Sequence, residues 1–219
     1  MHVRPLFTVV LVISLQLVLT GCATPPKTAN KADNVHKEVG TLPGNIRRVA
    51  VLPLAGRAGD EFVADGCEAL SSIVFEEFAK TKKFEAVRIS PETLRDISGA
   101  SSWTGGETLP ANLLNSFNET EGCDAVLFSE LTIFQPYAPI TVGWRLKLVD
   151  TKTQKILWAV DEIFDTAKLS SATEARHKMR DAVAGFYQSP KEDWTDLHSP
   201  ERVGRSSVDI VLATLPTRE

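Results

Sequence analysis

The chain has 219 residues, with 24 lysines and arginines against 28 acidic residues, a net charge of −4. That balance calls for no basic face, so nucleic acid is not an expected partner, and the length suits one domain of ordinary size with a sizeable core. Three cysteines and four scattered histidines (His2, His36, His177, His198) do not make a zinc site, which needs more ligands at close spacing.

The first segment places Arg4 ahead of LFTVVLVISLQLVL, residues 6–19, an uncharged and mostly apolar stretch. A helix crossing a bilayer needs about 20 apolar residues. A positive start, a core of roughly 7–15 apolar residues and a small-residue cleavage region instead define a secretory signal. Leu19-Thr20-Gly21-Cys22 resembles the bacterial lipobox, whose cysteine is acylated on sulfur and, after cleavage, on its new amino terminus. Residues 1–21 are therefore expected to be a lipoprotein signal peptide and Cys22 to be the first mature residue, anchored by more than one acyl chain. Ala23 follows where an aspartate would resemble the inner-membrane retention signal, so the outer membrane is the expected location. Losing Arg4 leaves 23 basic residues against 28 acids, a mature charge of −5.

Residues 22–45 are expected to be the lipidated cysteine and a flexible linker, because ATPPKTANKADNVHKEVGTLPGN has few large apolar side chains and no sustained period. The domain is expected over 46–219. Its first element, VAVLPLAG at 49–56, is a β-branched and aliphatic run closed by Pro53 and Gly56, as in a buried strand. Asp60 can cap the next element. From Glu61 to about Lys82 the apolar residues Val63, Cys67, Leu70, Ile73, Val74 and Phe78 recur every three or four positions, one stripe of a helix, with Glu68, Glu76, Glu77 and Lys80 on the polar face.

A short strand at 84–89 follows, so strand, helix and strand predict a parallel crossover. Ser90-Pro91-Glu92 opens a short helix, with serine as cap and proline at the first position. The glycine- and serine-rich loop 98–110 surrounds Trp103, and a helix is expected from Pro110 to about Thr120. After Gly122 the period changes to two, predicting strands at 125–134, 140–150 and 155–165. In the middle strand Ile140, Val142, Trp144, Leu146 and Leu148 alternate with Thr141, Gly143, Arg145 and Lys147, one face buried and one wet. A helix at about 170–187, an irregular stretch at 188–202 and a last helix opened by Ser199-Pro200-Glu201 complete the chain.

This order, with RRVAVLPLAG opening and GCDAVLFSELTIF and WRLKLVDTKTQKILWAVDEIF closing the sheet, resembles the periplasmic α/β domain shared by three groups. These are the curli-secretion lipoprotein, the lipoprotein activators of penicillin-binding proteins, and the amino-terminal domain of TolB. The resemblance covers roughly residues 46–187. It implies an α/β fold with a mixed sheet: one three-layer domain of about five strands, in the order β-α-β-α-β-β-β-α with a C-terminal helix. It also implies action by protein contact rather than catalysis, although fold alone selects no one activity. A self-contained pore would need added membrane strands of about 9–11 residues each. Neither the 98–110 loop nor the short Gln135–Pro139 joint supplies them.

No catalytic set is visible. There is no nucleophile elbow, and Gly56–Gly59 lacks the Walker lysine and hydroxyl residue. Asp60, Glu61 and Asp65 read as a helix cap with acids in the first turns, and Asp161, Glu162 and Asp165 as a solvated strand end rather than a calcium site. Cys67 and Cys123 are expected to be free thiols, placed apart by a strand order that sets the Cys123 strand at the opposite edge of the sheet.

Trp103 either anchors a partner or folds back onto the core; Tyr137, between two prolines, and Trp194 are weaker anchors. The expected function is that of a non-enzymatic, periplasm-facing outer-membrane lipoprotein. It would dock another envelope protein in assembly or regulation, with no cofactor beyond the covalent lipid. The alternative is a subunit of an oligomeric curli-type secretion complex, in which the chain would form a homo-oligomer.

Overall fold

The computed structural model describes residues 32–168, apart from 39 and 111, and residues 199–218. Two short strands, β1 (Val35–Lys37) and β2 (Thr41–Leu42), precede the first apolar run. That run forms β3 (Arg48–Val51) and, beyond Pro53, β4 (Ala55–Gly56). The break at Pro53 is expected of a residue with no N–H to give a ladder. Helix α1 (Glu61–Lys80) starts where Asp60 Oδ1 accepts the Val63 N–H at 3.2 Å. It leads to β5 (Glu85–Arg88) and α2 (Pro91–Ser98), which begins with Ser90 Oγ accepting the Thr93 N–H and ends on Gly99 at φ 81°. Only a residue without Cβ adopts that angle at little cost.

Helix α3 (Leu113–Thr120) precedes the meander β6 (Ala125–Gln135), β7 (Thr141–Asp150) and β8 (Ile156–Asp165). The β7–β8 turn is set by Asp150, whose Oδ1 accepts the N–H groups of Lys152 and Thr153 at 2.8 and 2.9 Å. The chain closes with α4 (Pro200–Leu212) and β9 (Thr217–Arg218).

The main sheet runs β1-β8-β7-β6-β3-β5, with β4 extending the edge of β6 above β3, and β2 pairs separately with β9. Strands β5, β3 and β6 are parallel; β6, β7, β8 and β1 are antiparallel. The fold is therefore the expected mixed α/β sheet with helices on it, but with seven strands in the described main sheet rather than about five. The expected helix at 170–187 lies outside the described residues.

Helices α1 and α4 cover one face, enclosing Val49, Val51, Leu127, Leu131, Trp144 and Trp158. Helices α2 and α3 cover the other face only over its parallel half, enclosing Ala50, Leu52, Val126 and Phe128. Trp144 and Trp158 are fully buried, and each indole N–H finds a hydroxyl: Ser207 Oγ on α4 at 2.8 Å, and Thr214 Oγ1 just beyond α4 at 3.0 Å. A buried indole needs such a partner.

Two expectations are corrected here. The linker does not run to residue 45. Ala32 and Leu42 are buried, β1 pairs with Trp158–Val160, and Asn34 O accepts the Asp161 N–H, so the fold begins by residue 32. Three residues at a sheet edge need no apolar pattern, which is why the sequence there reads as linker. Glu77, assigned to the polar face of α1, is also buried. Burial disfavours its charge, but Lys80, at 2.7 Å, and Arg205 of α4 more than offset this and hold the carboxyl below its usual range.

Two outcomes follow. Replacing Ser207 with alanine leaves the Trp144 N–H without its acceptor and should cost about 1–3 kcal/mol in urea unfolding. In a Trp144→Phe background the same change should cost clearly less, and an equal cost in both backgrounds would remove the indole bond as the cause. Because the Glu77 carboxyl is depressed in the folded state, its contribution is present above the unfolded carboxyl value of about 4.3 and is lost as pH falls through the lower folded value. The drop in urea midpoint on acidification should therefore be smaller in Glu77→Gln than in the unmodified chain.

Candidate functional site

The described helices leave part of the sheet surface uncovered. On the face opposite Trp144, β7 presents Gly143, Arg145 and Lys147, and the register fixes their neighbours: Ile133, Gly143 and Ile163 form one row, and Glu130, Arg145 and Asp161 the next. Arg145 bridges its row. Its Nε donates to Asp161 Oδ2 at 2.8 Å, and Nη1 lies 3.3 Å from both Glu130 oxygens. The hydrogen bond to Asp161, with the two nearby carboxylates, raises the guanidinium pKa further against the opposing effect of burial. In the apolar row Ile133 is 38% and Ile163 52% exposed.

Ile133 is on this face because of a bulge. Strict alternation from Leu127 and Leu131 would turn Ile133 inward, but the β6–β7 register shifts between Leu131 and Ile133. Phe134 therefore takes the inward place, and Ile133 faces out. Gly143 makes room for this: a Cβ there would collide with the Thr132 hydroxyl and approach the Ile133 nitrogen to 3.2 Å. Chain pairing in the structure reveals the shift; residue alternation alone predicts the opposite.

A second exposed feature lies at the end of the sheet where β6 passes into β7. Tyr137 is 70% exposed and meets Phe62, 52% exposed in the first turn of α1, edge-on with ring centroids 6.2 Å apart. Tyr137 is thus placed as an exposed aromatic, and its companion Phe62 was invisible as a candidate because it stands off the apolar stripe of α1.

Trp103 takes the other of its two possible places. It is half-buried against the α2–α3 core, and its indole N–H donates to Ser98 Oγ at 2.7 Å. Its loop roofs a cavity of about 310 Å³ lined by Leu109, Leu114, Phe128, Val149 and Ile156, where the Lys147 ammonium donates to the Gly105 carbonyl. Trp194 and Cys22 lie outside the described residues.

The acidic groups are dispersed rather than gathered. Asp60 caps α1, Asp161 pairs with Arg145, Glu162 accepts the N–H groups of Asp33 and Asn34 at 2.9 and 3.1 Å, and Asp165 accepts that of Ala167 at 2.9 Å. Among the described residues no group of three or more histidine, cysteine or acidic side chains is placed to hold a metal, and no helix is long and apolar enough to cross a membrane.

Cys67 and Cys123 are both free thiols, but the reason differs from the expected one. The strand after Cys123 is β6, which lies beside β3 and not at the opposite edge. What separates the pair is the sheet itself: Cys67 packs with the α1–α4 core and Cys123 with the α2–α3 core. Burial pushes each thiol up to about 11.

The described residues form an α/β sandwich on a mixed sheet, one face of which their helices cover only by half. No protein-family model and no curated protein matches this chain. Among solved structures, a PelC dodecamer from Paraburkholderia phytofirmans is 15% identical, covering 84% of this chain and 98% of that one at a TM-score of 0.49. Lipoprotein GNA1162 from Neisseria meningitidis is 15% identical over 64% of this chain and 99% of its own, with a TM-score of 0.39. The hypothetical protein CT253 from Chlamydia trachomatis is 16% identical over 77% and 98%, with a TM-score of 0.40. Likeness at this level assigns the chain neither activity nor partner.

Because thiolate is the reacting species, thiols raised this far should be sluggish. In the native protein Cys67 and Cys123 should alkylate with iodoacetamide far more slowly than a free cysteine, and both should react at the ordinary rate in denaturant. Rapid native labelling, or a missing pair of alkylations after denaturation without reductant, would contradict this placement.

Proposed function

We propose that the chain is an outer-membrane lipoprotein held by acyl chains on Cys22, with its α/β domain facing the periplasm and docking another envelope protein in assembly or regulation. It works by contact, without catalysis. The carrying observation is the half of the sheet that the described helices leave bare, where Ile133 and Ile163 stand exposed beside the Glu130–Arg145–Asp161 row. An apolar strip rimmed by satisfied charges has the anatomy of a protein interface, with contact area at its centre and orienting groups beside it. The signal-like start and Leu19-Thr20-Gly21-Cys22 support the anchor. Confinement to the membrane raises the local concentration toward a partner held there too, so a modest interface suffices.

A photo-reactive residue at Ile163 tests this in intact cells, beside a control at Lys82, which is exposed just beyond the C-terminal end of α1. Capture of one distinct envelope protein from Ile163 but not Lys82, lost in Cys22→Ala, is the expected result. A ladder of self-crosslinks from Ile163 would replace docking with a ring of copies, the assembly that the resemblance to the curli-secretion lipoprotein implies. No capture from Ile163 would remove this face as the interface.

A further inference from the structure

The point at which the chain enters the fold bears on which end of the domain meets the membrane. The fold is fixed from Ala32 onward. Ala32 is buried, the N–H groups of Asp33 and Asn34 donate to Glu162, and Asn34 O accepts the Asp161 N–H. Residues Asp161–Asp165 are the end of β8 that pairs with the start of β7, Asp165 opposite Thr141. The connector between β6 and β7 is at that same end, and it carries Tyr137. Phe62 is there too, since α1 begins at this end and meets Tyr137 edge-on. The entry point and the exposed aromatic pair therefore share one end of the sheet.

Length then decides orientation. Residues 22–31 are ten in number, and ten residues reach at most about 35 Å in any conformation. Strand β6, of eleven residues, is itself about 36 Å long. Val35 faces Val160, so Ala32 enters near the level of Ile163, and the far end at Ala125 lies about eight residues, or about 26 Å, beyond it. With the lipid on Cys22, that end could face the bilayer only if the tether were stretched well past the roughly 17 Å of a flexible ten-residue coil. The near end reaches it without such stretching.

We infer that Phe62 and Tyr137 form a membrane-contacting pair, seated in the headgroup layer of the same bilayer that holds Cys22; this rests on the lipidation reading above. The chemistry suits that layer. Tyrosine has an apolar ring and a polar tip, the kind of side chain enriched where one end is dry and the other wet, and phenylalanine adds an apolar wedge beside it. Asp60, Glu61 and Asp65 flank Phe62, against Arg57 nearby, so the surface that fits is zwitterionic rather than anionic. Two rings are too little to bind a free domain stably. Their effect is to orient one that is already anchored.

The test uses the full lipidated chain in phosphatidylcholine–phosphatidylethanolamine vesicles, with nitroxide labels on Phe62→Cys, Tyr137→Cys and, as control, Lys82→Cys. Mass spectrometry of the mature protein and co-flotation with vesicles report the anchor independently of the labels. Labels at 62 and 137 should show a several-fold higher ratio of oxygen to nickel-chelate accessibility than the label at 82. That difference should shrink when phosphatidylglycerol is added or when residues 62 and 137 are labelled singly in chains carrying the other position as serine. A lipidated, floating protein whose three labels are equally water-exposed overturns the inference while leaving the anchor standing. An unacylated Cys22 overturns both. Shielding of the labels only when other envelope proteins are present, and not in protein-free vesicles, would assign the pair to a protein partner and overturn the membrane contact.

Discussion

The burial of Trp144 and Trp158 on one face of the β7–β8 hairpin is the constraint from which the remaining arrangement follows. Two rings of that size need a full helical cover, and α1, committed to β4, β5 and β6, cannot supply it alone. Helix α4 completes the cover, and its attachment is correspondingly elaborate: Ser207 and the nearby Thr214 take the indole N–H groups, Arg205 reaches Glu76 and Glu77 on α1, and Lys83 donates to the carbonyls of Leu215 and Pro216. Pairing of β2 with β9 then ties the beginning of the described chain to its end. Losing α4 would expose the two largest side chains of the core, so the C-terminal helix is part of the domain rather than an appendage to it.

Strand geometry converts that burial into the character of the opposite face. Since side chains alternate, placing Trp144, Leu146 and Leu148 inward sends Gly143, Arg145 and Lys147 to the face that α2 and α3 cover only over its parallel half. Lys147 is partly covered because the Trp103 loop folds over it, and Arg145 is held by two acids. The remaining apolar groups, Ile133 and Ile163, have no such cover among the described residues. Among the described residues, the openness of this face thus follows from two helices lying over one side and two short ones over only half of the other.

Much of this was legible in the sequence, for identifiable reasons. Helix α1 and the three long strands announce themselves because each has one dry and one wet face, and the caps at Asp60, Ser90 and Ser199 are local hydrogen-bond chemistry that needs no tertiary context. What escaped depends on partners distant along the chain. Val35–Lys37 is a strand only because β8 offers an edge, Glu77 is buried only because Arg205 arrives from 128 residues away, and Ile133 turns outward only because Gly143 on the next strand admits a bulge at Thr132. The exposed sites show the same division. Tyr137 stood out by its flanking prolines, whereas Phe62 acquires meaning from contact with it, and Trp103, surrounded by flexible-looking residues, is fixed by Ser98 and the core beneath.

Recognising that the fold starts by residue 32 changes the functional geometry as well as the domain boundary. A tether ending at residue 45 would be 23 residues long and reach up to about 80 Å, enough for the domain to tumble and present any face. With the fold starting at Ala32 only ten residues separate it from Cys22, and their maximum reach is about the length of the sheet. Were Cys22 acylated as proposed, an anchor that short would hold the domain close to the membrane and distinguish its two ends. Under the proposed lipidation of Cys22, the end bearing Phe62 and Tyr137 would be turned to the bilayer, and the sheet face that the described helices half cover, whose strands run away from that end, would stand roughly at right angles to the membrane. A partner lying in or projecting from the same membrane could then meet such a lateral face without displacing the aromatic contact, so the proposed anchoring and docking would use different surfaces and would not compete.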